Sequence, residues 1–302
     1  MNMSVKKPLI RQGWLRVVLF CISFVLIAAL ITTLAAVALM AGKGMDFLKS
    51  IQEQMDGEYL WLKLLLELVS CLLSVWIFRK FFDRKSFFSL GWDIGDHLPE
   101  AITGLFLGPA LLGIVALLLF LSGRAQWTDI IWDPSALAIS LGYVVLFAIS
   151  EEMVFRGYIL NNLLESFPNR WIALAISSAL FAILHIGGAE IKPLAFANLF
   201  LGGMLLGLNY TYTKNLWFSI LFHLSWIFFE GPLLGFKVSG LKVASLLQVE
   251  TKGDFLLTGG DYGLEGSILC TPVFLIGIII LAWAYEKKYS TQFQVSGPGL
   301  SQ

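Results

Sequence analysis

Two adjacent carboxylates and an arginine interrupt an otherwise apolar stretch of this sequence. Glu151, Glu152 and Arg156 follow the apolar run 136–149 and precede a second apolar run at 158–164. Ionisable side chains are costly in hydrocarbon, so those that occur in membrane spans face a bundle interior or a water-filled cavity. The three residues are therefore candidates for a functional site, and the i,i+4 spacing allows Arg156 to pair with Glu152 on one helix face.

Two of the three histidines, His185 and His223, also lie within apolar runs, whereas His97 lies in a polar connection. A single histidine in such a run is more often one partner of an interhelical hydrogen bond. Two histidines together with a carboxylate favour a site, because amide hydrolysis needs an activated water, a proton carrier and a partner for the oxyanion. Glu151, His185 and His223 also match a common catalytic zinc set, so the residue types allow either zinc or no cofactor.

A turn signal around Pro168 predicts that Glu151 and His185 lie at the same depth. Glu151 lies 17 residues before Pro168 and His185 lies 17 residues after it. If the flanking segments form an antiparallel hairpin, the two side chains meet at one level of the membrane. His223 lies nine residues after Lys214, at its own turn, which predicts a shallower position, ~13 Å from the membrane surface.

The elements that must hold these residues are membrane helices. The chain is 57% hydrophobic and only 14% charged, whereas soluble domains carry about a quarter charged residues. Continuous apolar runs near span length predict an all-α polytopic membrane protein with about eight transmembrane helices in one bundle. The predicted spans are 14–40, 59–82, 101–121, 135–164, 171–186, 194–212, 216–229 and 267–285.

This pattern predicts four regions along the chain. Residues 1–134 hold the first three helices, 135–230 a core of four, 231–266 a polar outer loop, and 267–302 the last helix and a tail. The outer loop is interpreted as a solvated connection, with folding back over the bundle as the alternative. The zero formal charge and the lack of a basic block argue against a nucleic-acid partner. The composition thus makes the lipid bilayer the expected partner.

Basic residues cluster in segments that lie on one side of the membrane. If the N-terminus is cytoplasmic, the inner segments are the richer in Lys and Arg, which predicts that both termini are cytoplasmic. The bias is clearest in the first two inner segments, with Lys6, Lys7, Arg11, Arg16, Arg79, Lys80, Arg84 and Lys85.

Other polar or small residues in the spans have structural interpretations. Lys63, Glu67 and Glu230 lie near predicted span ends, where their side chains can reach the membrane interface. Interhelical hydrogen bonds or close helix packing are expected of Asn198, Asn209, Ser225, Gly202, Gly203 and Gly207.

The polar motifs, taken in order, resemble those of the CPBP family of intramembrane proteases. This family includes the type II CAAX prenyl endopeptidases and the bacterial Abi or bacteriocin-immunity proteins. The resemblance covers about 135–230, and its motifs are Glu151-Glu152-x-x-x-Arg156, Phe181-x-x-x-His185 and His223.

The resemblance implies an intramembrane endopeptidase and a role for each motif residue. Glu151 would activate the water, with His185 as its partner, and Glu152 and Arg156 would complete the first motif. His223 would stabilise the oxyanion or bind a metal. Short loops and the inner basic bias favour a bacterial inner membrane, and hence a peptide or membrane-protein substrate rather than a prenylated one.

The sequence departs from this family at Ile227. The family's last motif continues to Asn or Asp four residues after the histidine, and isoleucine can neither donate a hydrogen bond nor ligate a metal. Loss of one oxyanion donor lowers a rate by ~10²–10³-fold, so weakened activity is expected unless Ser225 or Glu230 substitutes. The alternative is a catalytically impaired member that serves as an immunity or regulatory binding protein. A small transporter or proton-coupled channel is a third class, although no inverted repeat supports it.

Overall fold

The protein is almost entirely helical. The structure, a computed structural model, describes residues 7–47, 49, 59–187 and 192–295. Within these residues, six helical segments are long and apolar enough to cross a membrane. The chain is therefore an all-α integral membrane protein, as the composition predicts. The six segments are Gly13–Lys43, Leu60–Phe82, Phe87–Leu121, Pro134–Ser166, Pro193–Thr213 and Cys270–Tyr289.

Within the described residues six helices are of spanning length rather than the predicted eight, because 171–186 and 216–229, the two shortest predicted segments, contain short helices. Segment 171–186 contains the helix Arg170–Leu184, of 15 residues, and segment 216–229 contains Trp217–Phe228, of 12 residues. At ~1.5 Å per residue, a helix of 15 residues covers roughly 22 Å, which is less than the ~30 Å hydrocarbon core. Such short helices are tolerated where protein rather than lipid surrounds their ends.

The helices differ in length, and so do the connections between them. In chain order, the α-helices of the described residues are α1 (Gly13–Lys43), α2 (Leu60–Ile77), α3 (Leu98–Leu121), α4 (Pro134–Glu152), α5 (Asn161–Ser166), α6 (Arg170–Leu184), α7 (Pro193–Thr213), α8 (Trp217–Phe228), α9 (Phe255–Thr258) and α10 (Cys270–Val295). Wider π-helical turns extend α2, α4 and α8, at Phe78–Phe82, Met153–Leu160 and Phe229–Leu233. Short 3₁₀ helices lie at Phe87–Leu90, Gly95–His97, His185–Gly187 and Leu264–Gly266.

Two features differ from the sequence prediction. A two-stranded antiparallel ribbon joins β1 (Ala125–Ile130) to β2 (Leu247–Thr251) outside the helical bundle. The last helix, α10, continues ten residues past its predicted end at 285, and residues 296–302 of the predicted tail lie outside the described residues.

Two glycines allow α3 to lie directly against α8, the helix that carries His223. A Cβ atom at Gly104 would lie 2.3 Å from the backbone oxygen of Phe218. A Cβ atom at Gly108 would lie 2.5 Å from Oγ of Ser225. Small residues four apart are a common means of close helix packing in membranes. The position of α8 therefore depends on this contact.

We expect Gly104→Ala to destabilise the protein by about 1–3 kcal/mol, because the added methyl group overpacks the α3–α8 contact. Gly113→Ala is the matched control on the same helix, since a Cβ there would meet nothing within 4 Å. That control should be neutral or stabilise α3 by up to about 1 kcal/mol. Reversible unfolding in detergent micelles measures both, and equal effects would show that the contact does not constrain α8.

A buried ion cluster joins α1, α2 and α5 at the end of the bundle that holds the α5–α6 turn, called here the inner end. Arg16 donates to Asp83 at 2.7 Å and to Glu165 at 2.6 Å, and Arg79 donates to the other oxygen of Asp83 at 2.8 Å. Arg16, Arg79 and Asp83 are buried. The sequence pattern explains these arginines only as orientation signals, whereas the structure shows that they also connect helices.

The outer loop, residues 231–266, folds back over the opposite end of the bundle, called here the outer end. Its strand β2 pairs with β1, and Nδ2 of Asn198 in α7 donates to the backbone oxygen of Glu265 at 2.8 Å. The carboxylate of Glu230 accepts the backbone N–H of Leu264 at 2.8 Å. The interpretation as a solvated connection is therefore wrong, and the alternative, that the loop folds back, is confirmed.

Candidate active site

A cavity of about 750 Å³ lies inside the bundle, between the helices and the outer loop. Its volume falls in the range of ~300–1,000 Å³ that small-molecule sites occupy. Most of its wall is apolar, and Glu151, His185 and His223 are among the polar residues that line it. The structure thus brings these three predicted site residues to one cavity.

Glu151 presents a carboxylate oxygen that has no hydrogen-bond partner among the described residues. The residue is only 8% exposed, and its buried Oε2 is the unpartnered atom. Nε2 of His223 lies 4.0 Å from this oxygen. This separation is too long for a direct hydrogen bond, but one water molecule can bond to both atoms.

Glu152 fixes the orientation of His223. Its Oε1 lies 2.8 Å from Nδ1 of His223 and 2.8 Å from Nη1 of Arg156. Because an ionised carboxylate only accepts hydrogen bonds, the hydrogen of the imidazole sits on Nδ1, and Nε2 is left for the cavity. The expected pairing of Glu152 with Arg156 is confirmed.

Arg156 is 1% exposed, and three neighbouring groups stabilise its positive charge. Besides its ion pair with Glu152, it donates to the backbone oxygen of Gly203 at 3.1 Å and lies 4.6 Å from the ring centre of Phe181. Gly203 also lets α7 lie close to α6, because a Cβ there would be 3.0 Å from Cβ of Ser178. A carboxylate, a carbonyl dipole and an aromatic face together make this buried cation tolerable.

A π-helical turn follows directly after the two carboxylates. It spans Met153–Leu160, carries Arg156, and is buried throughout. π-Helical turns inside α-helices are frequent at functional sites. Sequence periodicity gives no signal for this change of helix type.

His185 lies at the end of α6, where its Nδ1 is 2.9 Å from the backbone oxygen of Phe181. A carbonyl oxygen accepts, so Nδ1 carries the hydrogen and Nε2 of the neutral ring can accept one. His185 lines the same cavity as Glu151. No hydrogen bond or ion pair joins His185 to Glu151 or His223 within the described residues.

His223 lies at the level of Glu152, so the shallower position predicted for it is wrong. The reason is the depth of the α7–α8 turn, where Nζ of Lys214 lies 3.5 Å from Oδ1 of Asn161. The turn is thus level with Asn161 and not with Pro168. Nine residues separate Glu152 from Asn161, and nine separate Lys214 from His223, so the two side chains meet.

Lys63 and Glu67 line the cavity, which contradicts their interpretation as residues at the membrane interface. Together with Ser70 they form a polar stripe on α2, at positions i, i+4 and i+7. This helical spacing is the signal from which their shared face could be predicted. Tyr262 and Glu265 of the outer loop also line the cavity, and no periodic pattern marks them.

Ile227 lines the cavity, but neither of its expected substitutes does. Oγ of Ser225 donates to the backbone oxygen of Phe222 at 3.0 Å, beside Gly108 of α3. The carboxylate of Glu230 accepts a hydrogen bond from the backbone N–H of Leu264 in the outer loop. The expectation that Ser225 or Glu230 replaces the missing donor is therefore not supported.

The described residues contain no group of three His, Cys, Asp or Glu side chains that could hold a metal ion. Glu151 and His223 approach each other, but His185 does not converge with them on one point. This arrangement does not fit the three-ligand zinc set that the residue types suggest. Zinc therefore stays a prediction from residue types alone, which the metal content of the purified protein would test.

The residues of this site fall within the segment that known proteins share. Residues 132–229 match the family model described as Rce1-like, type II CAAX prenyl endopeptidase. This segment is therefore similar to that family. It runs from the start of α4 to the end of α8, and we call it the CAAX-protease core. No curated protein and no solved structure gives a significant match to the chain.

The match confirms the resemblance inferred from the motifs. The CAAX-protease core contains Glu151, Glu152, Arg156, His185 and His223. Helices α1 to α3, the outer loop and α10 lie outside the match, although all of them except α3 contribute to the cavity wall.

Proposed function

We propose that this protein is an intramembrane endopeptidase that hydrolyses a peptide bond of a membrane-associated peptide or protein with an activated water. The observation that carries the proposal is the buried, unpaired Oε2 of Glu151, 4.0 Å from Nε2 of His223, in a largely apolar cavity. Burying a carboxylate oxygen without a hydrogen-bond partner costs free energy. A general base needs such a free oxygen, because this atom accepts the proton of the water. The family of the CAAX-protease core supports the same class of reaction.

In the proposed reaction, a water held between Glu151 and His223 attacks the carbonyl carbon of the scissile bond. Glu151 accepts a proton from the water as the new C–O bond forms, and negative charge develops on the carbonyl oxygen. Protonated His223 donates from Nε2 to this oxygen. Glu151 then delivers its proton to the amide nitrogen while the C–N bond breaks, which releases a carboxylic acid and an amine; proton transfer between these products gives the carboxylate and the ammonium.

The other motif residues support this step without reacting. Glu152, itself held by Arg156, accepts from Nδ1 of His223 and stabilises the imidazolium that donates to the oxyanion. His185 carries its hydrogen on Nδ1, so Nε2 can accept a hydrogen bond from the water or from the substrate amide. The contact at Nδ1 thereby fixes the ring orientation of each histidine before substrate binds.

We further propose that both termini are cytoplasmic and that the protein resides in a bacterial inner membrane. The basic residues at the inner end support this orientation, since positive residues favour the cytoplasmic side. Six or eight crossings both place the two termini on the same side. A peptide or membrane-protein substrate suits this setting better than a prenylated protein.

We expect Ile227→Asn to raise the rate of cleavage by up to about 10²-fold, because the new amide can donate to the oxyanion. Ile227 is 9% exposed and lines the cavity close to His223, one helical turn away. Ile227→Leu is the matched control, since it keeps the volume and adds no donor. Initial rates on one peptide substrate give the comparison, and equal rates for the two variants would contradict a missing donor at this position.

A binding protein without protease activity is the second candidate, and Ile227 favours it. The cavity would then hold a partner peptide without cleaving it. An immunity or regulatory function of this kind should survive Glu151→Gln, whereas a function that depends on proteolysis should not. The cellular phenotype of that variant separates the two candidates.

The proposal is tested by incubating the purified protein, reconstituted in lipid nanodiscs, with a library of quenched fluorescent membrane peptides. We expect cleavage by the wild type and none by Glu151→Gln. Cleavage only by Ile227→Asn would identify a dormant protease that now serves as a binding protein. Wild-type cleavage that persists in Glu151→Gln would contradict the proposed water activation.

A further inference from the structure

The outer loop contributes a second set of polar side chains to the cavity. Glu265, Tyr262 and Ser239 line it, and none of them belongs to the CAAX-protease core. The proposed hydrolysis makes no use of these residues. Their chemistry indicates what part of a substrate would lie against the outer loop.

Glu265 is a fixed carboxylate with unused hydrogen-bonding capacity. It is 9% exposed, and its Oε2 accepts from Oγ of Ser239 at 2.7 Å. Its backbone oxygen accepts from Asn198 of α7 at 2.8 Å, which holds the residue in place. Its other carboxylate oxygen has no hydrogen-bond partner among the described residues. A buried carboxylate held by a single hydroxyl is incompletely compensated.

The hydroxyl of Tyr262 is a second buried polar group in the cavity wall that a polar ligand could satisfy. It is 6% exposed and lines the cavity, and its buried hydroxyl lies beside the hydroxyl of Ser239 without forming a well-aligned hydrogen bond within the described residues. Burial raises the pKa of Tyr262, so the hydroxyl stays neutral at physiological pH. Buried polar atoms without partners are uncommon and call for an explanation, such as a ligand.

The charges around the cavity favour a cation over an anion. Among its lining residues, Glu67, Glu151 and Glu265 are acidic, whereas Lys63 is basic and His223 is protonated in the proposed reaction. A low-dielectric cavity lined mainly by one sign of charge concentrates ligands of the opposite sign.

We propose that Glu265, with the hydroxyl of Tyr262, binds a cationic group of the substrate, an alkylammonium or a guanidinium. This inference rests on the proposed function, because it assigns a specificity subsite to the same cavity. The cation comes from a Lys or Arg side chain or from a free N-terminal amine, which share this chemistry. The bound cation would supply Glu265 with a charged partner that it lacks among the described residues.

The test measures binding, so that it does not depend on cleavage. Fluorescence anisotropy in nanodiscs gives Kd for labelled apolar peptides that carry Lys, Arg or norleucine at each position, with free or acetylated N-termini. Norleucine is the matched probe, since it keeps the lysine chain without the amine. We expect the wild type to prefer a cationic peptide over its neutral counterpart by about 10- to 100-fold, as for hydrogen bonds to charged groups.

Glu265→Gln should remove this preference and keep the affinity for norleucine peptides, since glutamine can still accept from Ser239. Tyr262→Phe should reduce the preference by a smaller factor. Glu250→Gln, the same change at an exposed position of the outer loop outside the cavity, should leave it intact. Comparing the free with the acetylated N-termini identifies the source of the cation.

Three results would overturn the proposal. They are equal affinity of the wild type for lysine and norleucine peptides, a preference that survives in Glu265→Gln, and no binding of any peptide. If cationic peptides bind through Glu265 but none is cleaved, the subsite stands and the proposed hydrolysis fails.

Discussion

Replacing Glu151 by glutamine should lower the rate of peptide cleavage by at least about 10²- to 10⁴-fold, the range that a general base contributes. Glutamine has nearly the same shape but cannot accept the proton of the attacking water. The side chain has no hydrogen-bond partner at Oε2 to lose, so the fold should be retained. Initial rates and thermal unfolding of the same nanodisc preparation measure both effects.

Glu67→Gln is the matched comparison for this variant. Glu67 is a carboxylate in the same cavity, on α2, and it forms no hydrogen bond with His185 or His223 among the described residues. We expect its replacement to lower the rate by less than about tenfold, through the loss of one nearby charge. Similar losses in the two variants would mean that the overall charge of the cavity matters and that Glu151 has no special role.

Arg156→Met should destabilise the protein by about 3–5 kcal/mol, because it leaves the buried carboxylate of Glu152 without its cation. Glu152 is 0% exposed, and its Oε2 has no hydrogen-bond partner. The ion pair with Arg156 and the hydrogen bond to His223 are therefore its main compensation. Reversible unfolding in detergent micelles, compared with the wild type, gives the size of the loss.

The double variant Glu152→Gln, Arg156→Met separates stability from chemistry. With both charges removed, we expect most of the lost stability to return, since replacing both partners of a buried pair is far less costly than removing one. Cleavage should remain low, because glutamine no longer stabilises the imidazolium of His223. A double variant as unstable as Arg156→Met would show that the charge of Glu152 is not the cause of the instability.

The class of fold is predictable from composition, but the number of spans is not. Apolar runs of span length identify membrane helices because lipid leaves the backbone few other conformations. The apolar runs that become α6 and α8 are already the two shortest, but hydropathy cannot show that protein surrounds these helices, since a helix enclosed by protein can be as apolar as one that spans the bilayer. The outer loop is a similar case, because Asn198 and Glu230 hold it through contacts distant in sequence.

The candidate site is predictable where charge in an apolar run marks it. Glu151, Glu152, Arg156, His185 and His223 all stand out in this way, and the structure places them around or beside one cavity. Their relative depth is not predictable, because it depends on where the α7–α8 turn packs. Spacing alone cannot show that Lys214 lies beside Asn161.

The partners of the buried charges also depend on tertiary packing. Arg16 of α1 and Arg79 at the end of α2 both pair with Asp83. Arg16 is 67 residues from Asp83 in the sequence, so no local spacing reveals this pair. In contrast, the pairing of Arg156 with Glu152 follows from the i,i+4 rule within one helix. Residues of the outer loop, such as Glu265, reach the cavity only because the loop folds back.

The most direct measurement is a double-mutant cycle between Glu151 and His223. Cleavage rates of Glu151→Gln, His223→Gln and the double variant are compared with the wild type on one peptide. If the two side chains act together on one water, the double variant should be no slower than the slower single variant, because residues that act as a unit are strongly non-additive. Losses that simply multiply would show that they act independently, and would contradict a shared water between Glu151 and His223.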